Sequence, residues 1–199
     1  MRFFSLLSVL FFIEIYSLSA VAQDYQVLPP EPLARGQIWI GEGASYVQAE
    51  NRAVENRFRL GLDYQFGQQL RFQLGLTVID VMSGGESSSA VGSIARSGTG
   101  VNVGYFLVPE KVVLIYTFLF EGVSGSRISN GVTTVAHQLA LGYRFYSNDT
   151  IHIGVNVAYL YAPAVTVPIF DLPSQSYSNV TFPSAQAFSL GLTAGVYFF

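Results

Sequence analysis

The sequence contains no cysteine, a single lysine (Lys111) and few charged residues of any kind. Without cysteine, the chain can form neither a disulfide framework nor a thiolate metal site, and it cannot carry a lipid on an N-terminal cysteine. Charged residues make up 12% of the 199 residues, whereas a soluble domain typically has about 25%. The net charge of −3 leaves no basic footprint, so we expect no nucleic-acid partner. The composition argues against an ordinary solvated surface.

Long apolar runs are scarce as well, and the one present lies at the N-terminus. Arg2 is followed by a largely apolar region, residues 3–13, and Ala20-Val21-Ala22 fits a small-x-small cleavage site. We therefore predict a signal peptide at residues 1–22, with an uncleaved anchor of about 20 residues as the alternative. Residues 23–35 contain three prolines and no periodicity, so they are predicted to form an extended periplasmic leader.

From residue 36 onward, apolar and polar or small residues alternate with period two, which is typical of β-strands with two different faces. The last segment is the clearest, because every second residue from Phe188 to Phe198 is apolar. The predicted strands span residues 36–48, 55–66, 70–82, 97–108, 111–123, 132–146, 150–161 and 185–199. Tight connections at 67–69, 109–110 and 147–149 alternate with longer ones at 83–95, 124–131 and 162–183.

The two faces of these strands differ in a way that favours a membrane. One face carries large apolar residues, and the other is mainly Gly, Ala, Ser, Thr, Asn and Gln with scattered charges. Strands of about ten residues cover the ~25 Å apolar band of an outer-membrane barrel, where short turns and longer loops also alternate. We predict an all-β fold in which residues 36–199 form an eight-stranded antiparallel up-and-down transmembrane β-barrel.

This pattern resembles the small eight-stranded bacterial outer-membrane barrels of the OmpA/OmpX/OmpW kind, over nearly all of residues 36–199. The resemblance implies export to the bacterial outer membrane, contact with outer-membrane lipid and lipopolysaccharide, and folding by the barrel-assembly machinery. Tyr197 and Phe199 match the terminal assembly signal of these proteins, whereas Gly195, Thr193 and Gly191 do not. The register of the last strand therefore stays open by one residue.

Charged residues are predicted to line the lumen, where charges must pair because the dielectric constant is low. The predicted network contains Glu42, Arg57, Arg59, Asp63, Arg71, Glu121 and Arg144. Glu42 shares the apolar parity of the first strand, so either a bulge near Gly41 or Gly43 turns it inward or Trp39 marks the outer face. Asp80 also lies on an apolar parity, which we interpret as a position near the membrane edge. The network is either a structural plug or a polar gate.

Aromatic residues near the strand ends are predicted to form girdles at the two membrane interfaces. They are Tyr64, Phe66, Tyr105, Tyr143, Phe145, Tyr159, Tyr161 and Phe198. The 162–183 loop carries Ile169, Phe170 and Leu172 among three prolines. These apolar residues form either a contact surface for a partner or extensions of the flanking strands that pack on one another.

Three functions follow from these features. The first is a non-enzymatic structural or surface-contact protein with a filled lumen, and the second is a narrow pore for small solutes, whose conductance would change on Arg59→Ala or Glu121→Ala. The third is a lipid-modifying enzyme that uses His137, since such enzymes need a histidine at the loop-side rim. His137 and His152 are the only histidines and cysteine is absent, so no metal site, cofactor or catalytic residue is predicted.

Overall fold

The computed structural model describes residues 34–48, 51, 53–128, 131–171 and 176–198. The predicted signal peptide, residues 23–33 of the predicted leader, Leu172 and Phe199 lie outside these residues. The strands are β1 Ala34–Gln48, β2 Ala53–Phe66, β3 Phe72–Gly84, β4 Ser87–Ser88, β5 Gly92–Val108, β6 Val112–Gly125, β7 Val132–Ser147, β8 Ile151–Ala162, β9 Val165–Asp171, β10 Ser176–Phe182 and β11 Ala185–Phe198. A short 3-10 turn, Gln68–Leu70, connects β2 and β3.

Eight of these strands close into a barrel. The order is β3-β2-β1-β11-β8-β7-β6-β5, and β3 pairs with β5 to complete the circle. Every pairing in the circle is antiparallel, including β1 with β11. The predicted eight-stranded antiparallel barrel is therefore confirmed. Within the described part of the chain, no helix is long and apolar enough to cross a membrane.

The alternation of the sequence sorts side chains between the outer wall and the lumen. Large apolar residues such as Leu74, Val103 and Leu192 are half or more exposed on the outer wall. Glycines on the lumen parity leave space for larger side chains there: a Cβ at Gly75 would clash with the carboxylate of Asp63, and the indole of Trp39 lies against Gly61. The small residues of the inner face thus make room for a polar interior, as the closure of a narrow barrel requires.

A β-bulge in β3 changes the face of Asp80. The register between β2 and β3 shifts between Leu60 and Gly61, and the neighbouring Val78 and Ile79 are both exposed on the outer wall. Asp80 consequently points into the lumen and is 4% exposed. The prediction that Asp80 lies on the apolar face near the membrane edge is therefore wrong. The bulge adds one residue to β3, so the faces of the residues after it are exchanged.

Several strand boundaries also differ from the predicted ones, and the longest connection has its own structure. β1 begins at Ala34 rather than residue 36, and β5 begins at Gly92 rather than residue 97. The 162–183 segment, predicted as a loop, contains the antiparallel hairpin of β9 and β10. Phe182 of this hairpin is buried in a cluster with Val91, Ile94 and Val123. The buried apolar cluster at the loop-side end of the barrel thus anchors the β9–β10 hairpin, although the sequence of this hairpin lacks strict alternation.

Candidate functional site: the charged lumen

Buried polar side chains fill the lumen in two layers. The loop-side layer, near the longer connections, contains Glu55, Arg57, Asp80, Glu86, Arg96 and Glu121. The turn-side layer, near the tight turns, contains Arg35, Gln37, Asp63, Gln65, Gln73, Asn102 and Arg144. Arg59 lies between the two layers, where it donates to Asn156 Oδ1 at 3.0 Å. The predicted residues Arg57, Arg59, Asp63, Glu121 and Arg144 all point into the lumen.

In the loop-side layer, Arg57 and Asp80 form a two-point ion pair. Arg57 Nε donates to Asp80 Oδ1 at 2.8 Å, and Arg57 Nη2 donates to Asp80 Oδ2. The two side chains are 2% and 4% exposed. The planar guanidinium matches a carboxylate in this arrangement, which adds geometric specificity to the charge attraction. The pair therefore holds two opposite, buried charges together inside the lumen.

Arg96 organises the rest of the loop-side layer. It donates to both carboxylate oxygens of Glu86, at 2.9 and 3.1 Å, and lies 3.6 Å from Glu121 Oε2. Glu55 accepts the backbone N–H of Glu86 at 2.8 Å. Arg96 also donates to the carbonyl of Pro183 at 3.4 Å, just after the β9–β10 hairpin. The layer is thereby tied to the longest connection of the chain.

The turn-side layer is built around Asp63 and amide groups. The carboxylate of Asp63 accepts hydrogen bonds from Gln37 at 3.1 Å, Gln73 at 2.7 Å and Asn102 at 3.1 Å. Asn102 in turn accepts from Thr77 at 2.9 Å. Neutral donors thus stabilise this carboxylate, in place of the guanidinium groups that serve the loop-side layer.

Two arginines lie at the turn-side end of the lumen. Arg144 donates to Tyr197 Oη at 2.7 Å and to Gln37 Oε1 at 3.1 Å. Arg35 donates to Gln65 at 2.9 Å, lies 3.0 Å from Glu110 Oε1 and stacks 3.9 Å from the centroid of the Tyr197 ring. Tyr197, predicted as part of the assembly signal, is therefore also a lumen residue that holds two guanidinium groups.

A cavity of about 60 Å³ lies in the turn-side half of the lumen. Its wall includes Trp39, Arg59, Asp63, Arg144 and Asn156. By volume it has room for about four water molecules. The turn-side half of the lumen thus contains a polar space next to the ion pairs of the loop-side layer.

Two of the predicted lumen residues lie elsewhere. Glu42 is exposed on the outer wall, since β1 keeps a continuous register with both neighbours and has no bulge to turn it inward. Trp39 lines the cavity, so it does not mark the outer face. Arg71 lies in the turn before β3, where it donates to Gln69 and Tyr105 at 3.3 Å. The structure places Arg71 at the rim of the barrel because its strand begins only at Phe72.

Sequence reasoning missed several members of the network. Arg35 shares the lumen parity of Gln37 and would have been found by extending the predicted first strand one residue toward the N-terminus. Arg96 shares the parity of Asn102 and would have been found by extending β5 in the same direction. Glu86 lies in a Ser- and Gly-rich stretch without alternation, so no signal in the sequence identified it.

The outer wall carries the predicted aromatic residues at both ends. All eight of the predicted girdle residues point outward, and most of them are more than a third exposed. Phe66 stacks on Phe72 with centroids 5.8 Å apart, and Tyr159 lies 4.9 Å from Phe188. His137 is also on the outer wall, where its Nδ1 is 2.6 Å from Tyr116 Oη. The histidine thus belongs to an aromatic patch.

In the β9–β10 hairpin, Ile169 is half-buried and Tyr177 is 75% exposed. Val167 and Val180 pack against the cluster that buries Phe182. Phe170 lies in β9, and Leu172 lies outside the described residues. The hairpin therefore has an apolar base on the barrel and an exposed outer end.

No family model and no curated protein matches this sequence. Solved structures do match its fold. Neisserial surface protein A has 9% sequence identity and a TM-score of 0.62, over 82% of this chain and 97% of that one. Ail of Yersinia pestis has 16% identity and a TM-score of 0.46, over 84% and 100% of the two chains. OprG of Pseudomonas aeruginosa has 9% identity and a TM-score of 0.39, over 83% and 94%. The chain therefore has the fold of the small eight-stranded outer-membrane barrels.

Proposed function

We propose that this protein is a non-enzymatic β-barrel of the bacterial outer membrane, with a structural or surface-contact role and a lumen closed by side chains. The observation that carries the proposal is the loop-side layer, in which Arg57 and Asp80, and Arg96 and Glu86, pair while almost fully buried. Water and small solutes would have to break these ion pairs to pass. The paired side chains of the loop-side layer therefore plug the lumen.

The test is conductance in a planar lipid bilayer. We expect the purified, refolded protein to give no discrete current steps, because paired side chains occupy the lumen at the level of Asp80. A matched variant, Arg57→Ala combined with Asp80→Ala, removes the central pair and is expected to allow small, brief steps. Regular steps from the unmodified protein would contradict the plug.

A narrow pore is the second candidate, and the cavity of about 60 Å³ favours it. In a pore, Arg59 and Glu121 would face the permeating solute. Arg59→Ala and Glu121→Ala would then change the size or ion selectivity of the steps given by the unmodified protein. If that protein gives no steps at all, the pore is excluded.

Surface contact is assigned to the β9–β10 hairpin, since its base is buried at Phe182 and its outer end exposes Tyr177. An anchored, partly apolar projection suits a contact surface better than a solvated loop does. In a cell-aggregation assay, cells that produce the protein are expected to lose aggregation on Tyr177→Ser combined with Ile169→Ser. Asp149→Asn, at an exposed turn on the opposite end, is the matched control and should leave aggregation unchanged.

Lipid is the proposed partner of the outer wall. The aromatic residues at both ends suit the two interfaces of a membrane, so we assign the wall to outer-membrane lipid and lipopolysaccharide. Tyr197 and Phe199 are proposed to serve the barrel-assembly machinery during folding.

His137 makes its contacts with Tyr116 and Phe118, which favours an interfacial role over catalysis. Unchanged lipid A mass spectra in cells that overproduce the protein would support a non-enzymatic role.

A further inference from the structure

The cavity in the turn-side half of the lumen has polar groups that the described residues leave without a partner. Asn156 Nδ2, His152 Nδ1 and Gln73 Oε1 are buried atoms with no hydrogen-bond partner in the described part of the chain. Their residues are 6%, 3% and 2% exposed, and all three line the cavity. Buried polar groups are almost always paired with protein, water or a ligand. The cavity therefore has the chemistry of an occupied site.

The charges of the cavity wall are unequal. Arg59 and Arg144 contribute two positive charges, and Asp63 contributes the one negative charge. Asp63 is already held by three amide donors. In the described residues, no carboxylate lies within ion-pair distance of Arg59, because Asp80, its partner in the strand register, is bound by Arg57. A buried guanidinium without a carboxylate is costly unless an anion compensates it.

We propose that this cavity binds a small inorganic anion of halide size, with Arg59 as its charge partner and Asn156 Nδ2 as a hydrogen-bond donor. Five N–H groups of a guanidinium are donors, and the structure gives one to Asn156 Oδ1, so others remain for a ligand. A cation is disfavoured by the positive excess of the wall. Water molecules would fill the remaining volume and satisfy Gln73 Oε1. Anion binding in this cavity does not require that the lumen conducts.

Trp39 provides a direct probe of this site. It is the only tryptophan of the chain, it lines the cavity, and its ring centroid lies 6.0 Å from the guanidinium carbon of Arg59. Iodide quenches tryptophan fluorescence when the two are in contact. We expect the protein refolded into detergent micelles with iodide to show quenching that saturates at millimolar concentration and is reversed by chloride. The neutral quencher acrylamide should show no saturation.

Arg59→Gln is expected to reduce the affinity for iodide at least tenfold without changing acrylamide quenching. Arg127→Gln, which removes an exposed arginine on the loop side, is the matched control and should leave iodide quenching unchanged. Gel mobility with and without boiling checks that each variant forms the barrel.

Asn156→Asp keeps the test decisive if Arg59→Gln does not fold. The new carboxylate would lie where Asn156 Oδ1 now accepts from Arg59, so this variant should fold and abolish the saturable iodide quenching. Two results would overturn the proposal: iodide quenching that rises linearly like that of acrylamide, or saturable quenching that persists in Asn156→Asp. Linear quenching would show that the cavity holds water alone, and persistent saturable quenching would show that iodide binds without Arg59 and Asn156 as its partners.

Discussion

The two layers of the lumen solve the same problem, burial of charge in a narrow barrel, in different ways. The loop-side layer has two arginines and four carboxylates, and its arginines bind carboxylates directly. The turn-side layer has two arginines and one buried carboxylate, and it relies mainly on amide and phenol groups, with the half-exposed Glu110 as a further partner of Arg35. Breaking a direct buried ion pair leaves one uncompensated charge in a medium of low dielectric constant. Where several amide groups bind one charged group, the remaining amides still stabilise it when one partner is lost. A substitution that breaks a pair in the loop-side layer should therefore lower the free energy of unfolding more than one in the turn-side layer.

Asp80→Asn gives the largest expected effect. The substitution leaves Arg57 without its carboxylate, which should lower the free energy of unfolding by about 3–5 kcal/mol. The free energy of unfolding is measured by urea-induced unfolding in detergent micelles, followed by Trp39 fluorescence. The double variant Arg57→Met with Asp80→Leu should recover most of the loss, because it removes both charges. A loss under about 1 kcal/mol would show that water screens the pair, and the plug would then be open.

The sequence predicted the barrel well because its signal repeats along every strand. Alternation from residue 36 onward depends only on which side chains face the outer wall, and that rule recurs in every strand of the barrel. It failed where one residue changes the phase. Asp80 occupies an apolar parity in the sequence, and only the bulge at Val78 and Ile79 turns it inward.

The candidate site was only partly predictable, for a related reason. Arg57, Arg59 and Asp63 lie on one clean strand, so their shared face was readable. Their partners come from other strands and from loops, and pairing across the lumen depends on the register of those strands. Glu86 reaches Arg96 from a loop, which no periodicity in the sequence could indicate.

Asp63→Asn is the matched substitution in the turn-side layer. It replaces a carboxylate that accepts three hydrogen bonds, so the expected loss is about 1.5–3 kcal/mol of unfolding free energy. Urea-induced unfolding under the conditions used for Asp80→Asn gives the comparison. The variant also removes the negative charge of the cavity, so chloride should recover more stability in this variant than in the unmodified protein. A loss larger than that of Asp80→Asn would reverse the ranking of the two layers.

Glu42 tests the same charge chemistry on the outer wall. It lies between Gly36, in register with Phe198, and Tyr46, in register with Phe188, so it is near the middle of the apolar band. Charged side chains on the lipid face destabilise barrels most at mid-depth, and carboxylates less than Lys or Arg. Glu42→Leu should therefore raise the free energy of unfolding in lipid vesicles by about 1 kcal/mol. Glu42→Gln, the control, should give a smaller gain, and a loss of stability would show that Glu42 has a partner on the wall.

Ser45→Ala gives the smallest expected effect and separates paired from unpaired polar groups. Ser45 lies beside Glu55 and opposite Ser189 in the strand register, and the buried hydroxyls of both serines have no partner in the described residues. Removing an unpaired buried hydroxyl takes away a desolvation cost and no hydrogen bond. The free energy of unfolding should therefore stay within about 0.5 kcal/mol or rise. A loss above about 1.5 kcal/mol would mean that the hydroxyl binds water in the plug, and the loop-side layer would then be wetter than its ion pairs indicate.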